Sequence, residues 1–156
     1  MPPSWTSMTS CWPMGTTDLS RERGVIGDGL PRTVSEVRAE QLMRRALEVA
    51  EQTPAGDIPV GAVVFGPDDK VIAAGVNRVM PHATSLAHAE NMAYMLAQQR
   101  LQTPRLNAVL SPVTLATSSQ PCCQCYGATV WAGIDRLLIG ARSEDVETLT
   151  AFDEGP

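Results

Sequence analysis

Three of the chain's four cysteines, Cys122, Cys123 and Cys125, fall within four positions directly after Pro121 in "PCCQC". Cys122 and Cys125 stand at i and i+3, which sets both sulfurs on one side of a helical first turn. At a helix start the free backbone N–H groups and the dipole favour negative charge, so both thiols ionise more easily there. Such a pair is a redox couple or half of a zinc site. Cys123 points elsewhere and reads as a small core residue rather than a ligand. The chain has two histidines, His82 and His88, and His88 begins "HAENMAYMLAQQR" with Glu90 two residues on. A lone histidine or a lone His-x-Glu is most often structural, but this one opens a helix just as the cysteine pair does. Together His88, Cys122 and Cys125 can supply three zinc ligands and leave a fourth position open, the arrangement of a catalytic zinc. Glu90 then lies near the metal without binding it, suited to moving a proton to or from water. A closed structural site would draw a fourth ligand from Cys11, Cys123 or His82, none favourably spaced. A thioredoxin-like redox pair leaves the His-Ala-Glu segment unexplained.

The elements that must position these residues follow from periodicity and turn chemistry. Residues 1–32 are rich in Pro, Ser, Thr and Gly without periodicity and read as a flexible tail, leaving 33–156 as one domain. Thr33 and Glu36 make a capping box that opens an amphipathic helix over "VSEVRAEQLMRRALEVAEQ". Its apolar side is drawn from Val34, Val37, Leu42, Ala46, Val49 and Ala50. "PVGAVVF" and "KVIAAGVN" are strands joined by "GPDD" into a hairpin. After the polar loop "MPHATSLA" comes the His88 helix, then a loop over "LQTPRLNAVLSP" and a strand over "VTLATS". The cysteine helix follows and stops at Gly133; "RLLIGA" is a strand, and "SEDVETLTAF" a helix with Ser143 as its cap. Strand–helix–strand units give parallel crossovers, so a mixed sheet with helices on both faces is expected. In such sheets two helix starts can meet beyond the carboxyl ends of neighbouring strands.

Composition narrows the partners. The 156 residues and 44% hydrophobic content fit a globular domain, and no apolar run approaches a membrane span. The first residues lack the basic start and apolar block of a secretory signal, so a cytoplasmic, thiol-reducing setting is expected, which disfavours disulfides. Eleven arginines and Lys70 are scattered along a chain of formal charge −5, and Arg44–Arg45 is their densest stretch. A nucleic-acid binder needs a basic face, so that class is disfavoured.

"HAE" at 88–90 and "PCCQC" at 121–125, in this order and each at a helix start, resemble the H-x-E and P-C-x-x-C signature of the zinc-dependent cytidine deaminase-like superfamily. The resemblance runs from about Pro59 onward. Within that superfamily "AAGVNRV" (73–79), "AHAENMA" (87–93), "TSSQPCCQCYGATVWAG" (117–133) and "ARSEDVETLTAFDEGP" (141–156) are similar to stretches of bacterial guanine deaminases. Gln120 departs from the Glu usual before the Pro-Cys pair.

The resemblance implies an α/β fold, a three-layer α/β/α sandwich around a mixed, roughly five-stranded sheet. It implies one Zn2+ per chain on His88, Cys122 and Cys125, with Glu90 as the proton carrier for a water that attacks the amine-bearing ring carbon. Asn77 and the backbone of Ala89 would bind the base, and Glu154 in "FDEG" would face it as a second acid. Val60, Trp131 or Phe152 would form an apolar wall, although core packing is also a reading for each. The implied reaction is hydrolytic deamination of a small heterocyclic amine, guanine to xanthine and ammonia, by a cytoplasmic homodimer. The alternatives are a tRNA adenosine or nucleoside deaminase, a deaminase of a guanine-like heterocycle in a specialised pathway, or a catalytically silent zinc-stabilised domain.

Overall fold

The computed structural model describes residues 34–150. The tail expected over 1–32, Thr33, Phe152 and Glu154 lie outside these residues. The first helix, α1, spans Glu36–Ala50, and its cap is Ser35 rather than Thr33: the Ser35 hydroxyl accepts the Arg38 N–H at 3.4 Å. Leu42, Ala46 and Ala50, four residues apart, form its buried stripe, with Met43 and Val49 at the margin. Val37 does not join them and is 68% exposed. At about 100° per residue it lies on nearly the opposite side of the helix from Leu42.

Strands β1 (Gly61–Phe65) and β2 (Val71–Val76) form the expected hairpin. Its turn closes through the Gly66–Lys70 and Asp69–Gly66 backbone bonds, with Asp69 at φ 59. Strand β3 (Thr114–Ser119) pairs antiparallel with β1 and parallel with β4 (Arg136–Ala141). Among the described residues the sheet has four strands, in the order β2-β1-β3-β4, and not the five expected. Every β1 residue is buried because the sheet is covered on both faces. Val63, Phe65 and Ala116 pack with Leu42 and Ala46 of α1. Ala62, Val64 and Leu115 pack the other way, with Ala93, Tyr94 and Ala132. These layers make the three-layer α/β/α sandwich.

Between β2 and β3 lie a helical turn, α2 (Val79–His82), where a loop was expected, then α3 (Ala89–Leu101) and a 3-10 turn at Leu106–Ala108. Helix α4 (Cys123–Ala132) crosses from β3 to β4 and ends at Gly133, whose φ of 74 suits a left-handed C-cap. In α5 (Ser143–Thr150), Ser143 is the first helical residue rather than the cap. Its N–H is accepted by the Gln120 side-chain oxygen at 3.4 Å.

One close approach decides where α3 begins. A Cβ added to Gly75 of β2 would lie 2.3 Å from the Ala89 carbonyl oxygen and 2.5 Å from the Ala93 nitrogen. The first turn of α3, carrying Glu90, thus rests directly on strand backbone. Gly75→Ala is expected to cost about 1–3 kcal/mol through overpacking and to lower metal content by displacing His88. Gly127→Ala, a position in α4 with nothing within 4 Å, is expected to stabilise by up to about 1 kcal/mol. Urea denaturation midpoints of the two variants check the contrast.

Candidate metal centre

Two helix starts meet here. His88 is the N-cap residue of α3 and Cys122 that of α4, and neither side chain makes a capping hydrogen bond. Cys125 stands on the first turn of α4, fully buried. The imidazole Nδ1 of His88 lies 3.5 Å from the sulfur of Cys122 and 3.5 Å from that of Cys125. All three ligand atoms lie within 4.8 Å of one another. Around a tetrahedral zinc the nitrogen–sulfur edge is roughly 3.6 Å, from bond lengths of about 2.05 and 2.3 Å. Two soft sulfurs and an imidazole at that spacing fit one zinc ion with a position left over. Burial, then the charges of Glu90 and Cys122, pushes the Cys125 thiol well above its ordinary range. A cation bound there must therefore displace the Cys125 proton.

Glu90 is 4% exposed. Its Oε2 lies 3.5 Å from the Cys125 sulfur, and its Oε1 accepts from the Thr117 hydroxyl at 3.4 Å. It does not join the three-residue ligand group. Burial pushes its carboxyl upward, partly offset by its own backbone N–H, Cys125, His88 and Thr117. The result is a carboxyl more basic than one in water, which favours its accepting a proton.

One helical turn behind these groups the two helices are tied together. Thr129, four residues after Cys125, donates to the Cys125 carbonyl at 2.8 Å. Its proton is thereby used, so Tyr94, four residues after Glu90, donates to the Thr129 hydroxyl oxygen at 2.6 Å. Burial also pushes the Tyr94 phenol upward, which keeps it a donor. This clamp was missed in the sequence; the i+4 offsets from Glu90 and Cys125 are the signal that marks it.

The centre opens into a cavity of about 420 Å³ lined by His88, Cys122, Glu90, Ala89, Asn77 and Val60, among others. The structure thus brings together the three proposed ligands, Glu90 and both described base-binding candidates. Ala89 is the first residue of α3, so its N–H has no partner within the helix. Asn77 is 7% exposed, and its amide N–H donates to the Ile58 carbonyl at 3.2 Å. That bond fixes the amide orientation and leaves Oδ1 buried with no hydrogen-bond partner. Trp131, by contrast, is 80% exposed and is no wall of the cavity. Cys123 is exposed rather than core. Asp57 and Gln120 also line the cavity and were not singled out as ligand contacts. Asp57 Oδ2 accepts the Met80 N–H at 3.3 Å, tying the 53–60 loop to α2.

The cytidine and deoxycytidylate deaminase zinc-binding region matches residues 36–141. A solved guanine deaminase from Nitrosomonas europaea superposes with a TM-score of 0.68 at 40% identity, over 84% of this chain and 80% of that one. A probable cytosine deaminase of Schizosaccharomyces pombe is 34% identical over 69% of this chain and 63% of its own length. A tRNA-specific adenosine deaminase of Haemophilus influenzae is 38% identical over 65% of this chain and 57% of its own. The chain therefore spans less than two thirds of the length of these two curated relatives. Among the described residues no helix is long and apolar enough to cross a membrane.

Elemental analysis of purified protein is expected to find one zinc per chain. Cys122→Ser, Cys125→Ser and His88→Ala should each lose most of that metal, whereas Cys123→Ser, exposed and outside the ligand group, should keep it.

Proposed function

The chain belongs to the cytidine and deoxycytidylate deaminase zinc-binding family, and from that premise we propose that it hydrolyses the exocyclic amine of a free nucleobase, converting guanine to xanthine and ammonia. The observation that carries this reading is the buried carboxyl of Glu90 beside the three ligand atoms, on the wall of one cavity. Zinc held by His88, Cys122 and Cys125 would supply Lewis acidity that makes a water easier to deprotonate. Glu90 accepts the first proton from a water as the water's oxygen bonds to the amine-bearing ring carbon, and delivers it to the adjacent ring nitrogen. It then carries the water's second proton to the amino group. The carbon–nitrogen bond breaks, ammonia leaves, and the new carbon–oxygen bond remains as the product carbonyl.

The substrate-facing groups suit a flat base. The unpartnered Oδ1 of Asn77 accepts a ring N–H, removing a cost of about 1–3 kcal/mol for a buried unsatisfied acceptor. The free N–H of Ala89 donates to a ring carbonyl. Val60 and Ile58 supply apolar wall. Glu154, outside the described residues, is read from the resemblance as a second acid facing the base. The Nitrosomonas europaea guanine deaminase supports guanine as substrate. The same reading assigns the activity to residues 33–156, leaves 1–32 outside it, and makes the protein a cytoplasmic homodimer of purine metabolism.

An ammonia-release panel of guanine, adenine, cytosine, their nucleosides and tRNA tests the reading. Turnover of guanine alone supports it; turnover of tRNA replaces it with RNA editing, and silence across the panel with a zinc-stabilised binding domain. Glu90→Ala is expected to keep its zinc and lose about 10²–10⁴-fold in kcat. Asn77→Ala should raise KM roughly tenfold or more. Glu154→Ala should spare the metal and weaken base binding, and wild-type kinetics there would remove it from the site.

A further inference from the structure

Thr117 lies in β3, fully buried, between Ala62 of β1 and Ile139 of β4. A strand position walled in this way accepts valine, which has the same shape and no hydroxyl to desolvate. Burying an unpaired hydroxyl costs about 1–3 kcal/mol on mutational scales. The hydroxyl of Thr117 is paired, and with acceptors that matter: Glu90 Oε1 at 3.4 Å and the Ser119 carbonyl oxygen at 3.1 Å. Both acceptors lie within reach of its one proton, the Ser119 carbonyl being the nearer. Glu90's partner on the other oxygen is Cys125, which is itself committed to the metal position. Thr117 belongs to neither the ligand group nor the cavity lining. Its two routes to the site are Glu90 and the cavity-lining Ser119, and the Glu90→Gln background separates them.

The last torsion of a glutamate side chain is broad, so an unheld carboxyl samples a wide range of rotations. Proton transfer needs one oxygen at hydrogen-bond distance from the reacting group, and misplacement is costly. Resting on the reading of Glu90 as the proton carrier, we infer that Thr117 is a positioning residue: its hydroxyl holds Oε1, fixes the rotation of the carboxyl and leaves the other oxygen for the proton. The strand supplies what the helix alone does not. Glu90 is carried by α3, whereas the reference against which its carboxyl is aligned comes from β3, the strand that leads into Cys122.

The experiment compares Thr117→Val, Thr117→Ser, Glu90→Gln and the Thr117→Val/Glu90→Gln pair as zinc-loaded proteins, on whichever panel amine the wild type turns over. Thr117→Val is expected to keep its zinc and its Tm, hold KM within about twofold and lose roughly tenfold to a hundredfold in kcat. Thr117→Ser, which restores the hydroxyl, should return to within about threefold of wild type. In the Glu90→Gln background Thr117→Val should change the residual rate by less than about twofold, because the two act as one unit. Wild-type kcat in Thr117→Val beside an inactive Glu90→Gln overturns the inference and leaves the proposed function standing. So does a loss that serine fails to restore, or one of equal size in the Glu90→Gln background. A wild-type rate in Glu90→Gln overturns the proton-carrier reading and this inference with it. Should the valine variant not fold, Thr117→Ala against Thr117→Ser carries the same contrast.

Discussion

Two helices that begin at the same point are the constraint on which this protein depends. The ligand atoms of His88, Cys122 and Cys125 come from the starts of α3 and α4, with His88 standing 34 and 37 residues before the two cysteines. A metal centre tolerates errors of only about half an ångström in its first ligands. Side-chain flexibility cannot supply that accuracy; the backbones must. On one side Gly75 lets the first turn of α3 settle onto β2 at a distance no side chain permits. On the other, Tyr94 and Thr129 bolt α3 to α4 one turn below the site. Neither contact touches the ligand atoms, yet together they fix the separation of the two helix starts.

The sheet shows the same division between a packed body and a polar end. All six residues of β3 are buried, but apolar Leu115 and Ala116 are followed by Thr117, Ser118 and Ser119. Three consecutive buried hydroxyls would be a liability in a strand unless each had work to do. Thr117 meets Glu90, and Ser118 accepts the Gly61 N–H at 3.0 Å where β1 begins. Ser119 lines the cavity. The strand thus changes character along its length, from core at its start to site at its carboxyl end. That is where a crossover sheet places its crevice.

What could be read from the sequence follows from the same physics. The ligand set was legible because cysteine and histidine are scarce here and stand at helix starts, where spacing alone fixes their direction. The layers and the order of elements along the chain were legible because hairpin turns and strand–helix–strand units admit few arrangements. Helix α4 defeated periodicity. Cys125, Ala128, Thr129 and Ala132 repeat on its inner side, and Cys123, Tyr126, Val130 and Trp131 repeat just as regularly on its outer side. A helix apolar all round does not announce which face is buried, so Cys123 and Trp131 were placed inside. Asp57 and Gln120 escaped for another reason. Their place in the cavity is set by the path of loops, which no period encodes. The fifth strand was an inference from resemblance; the local patterns supported four.

The charge of the cavity bears on what can enter it. Asp57 and Glu90 both line it, and Asp57 is held in place by the Met80 N–H. A phosphate brought close to the Asp57 carboxylate meets like charge, and in a partly desolvated cleft that repulsion is stronger than in water. On the proposed reading a neutral ring meets none of it and instead satisfies the unpartnered side-chain oxygen of Asn77. On the proposed function, these terms together suit an uncharged base better than a nucleotide at the same position. It agrees with a chain whose basic residues are scattered and whose net charge is −5. A phosphate-bearing substrate would have to keep its charge outside the cavity and present only the ring, and this geometric condition separates deamination of a free base from deamination within a nucleic acid.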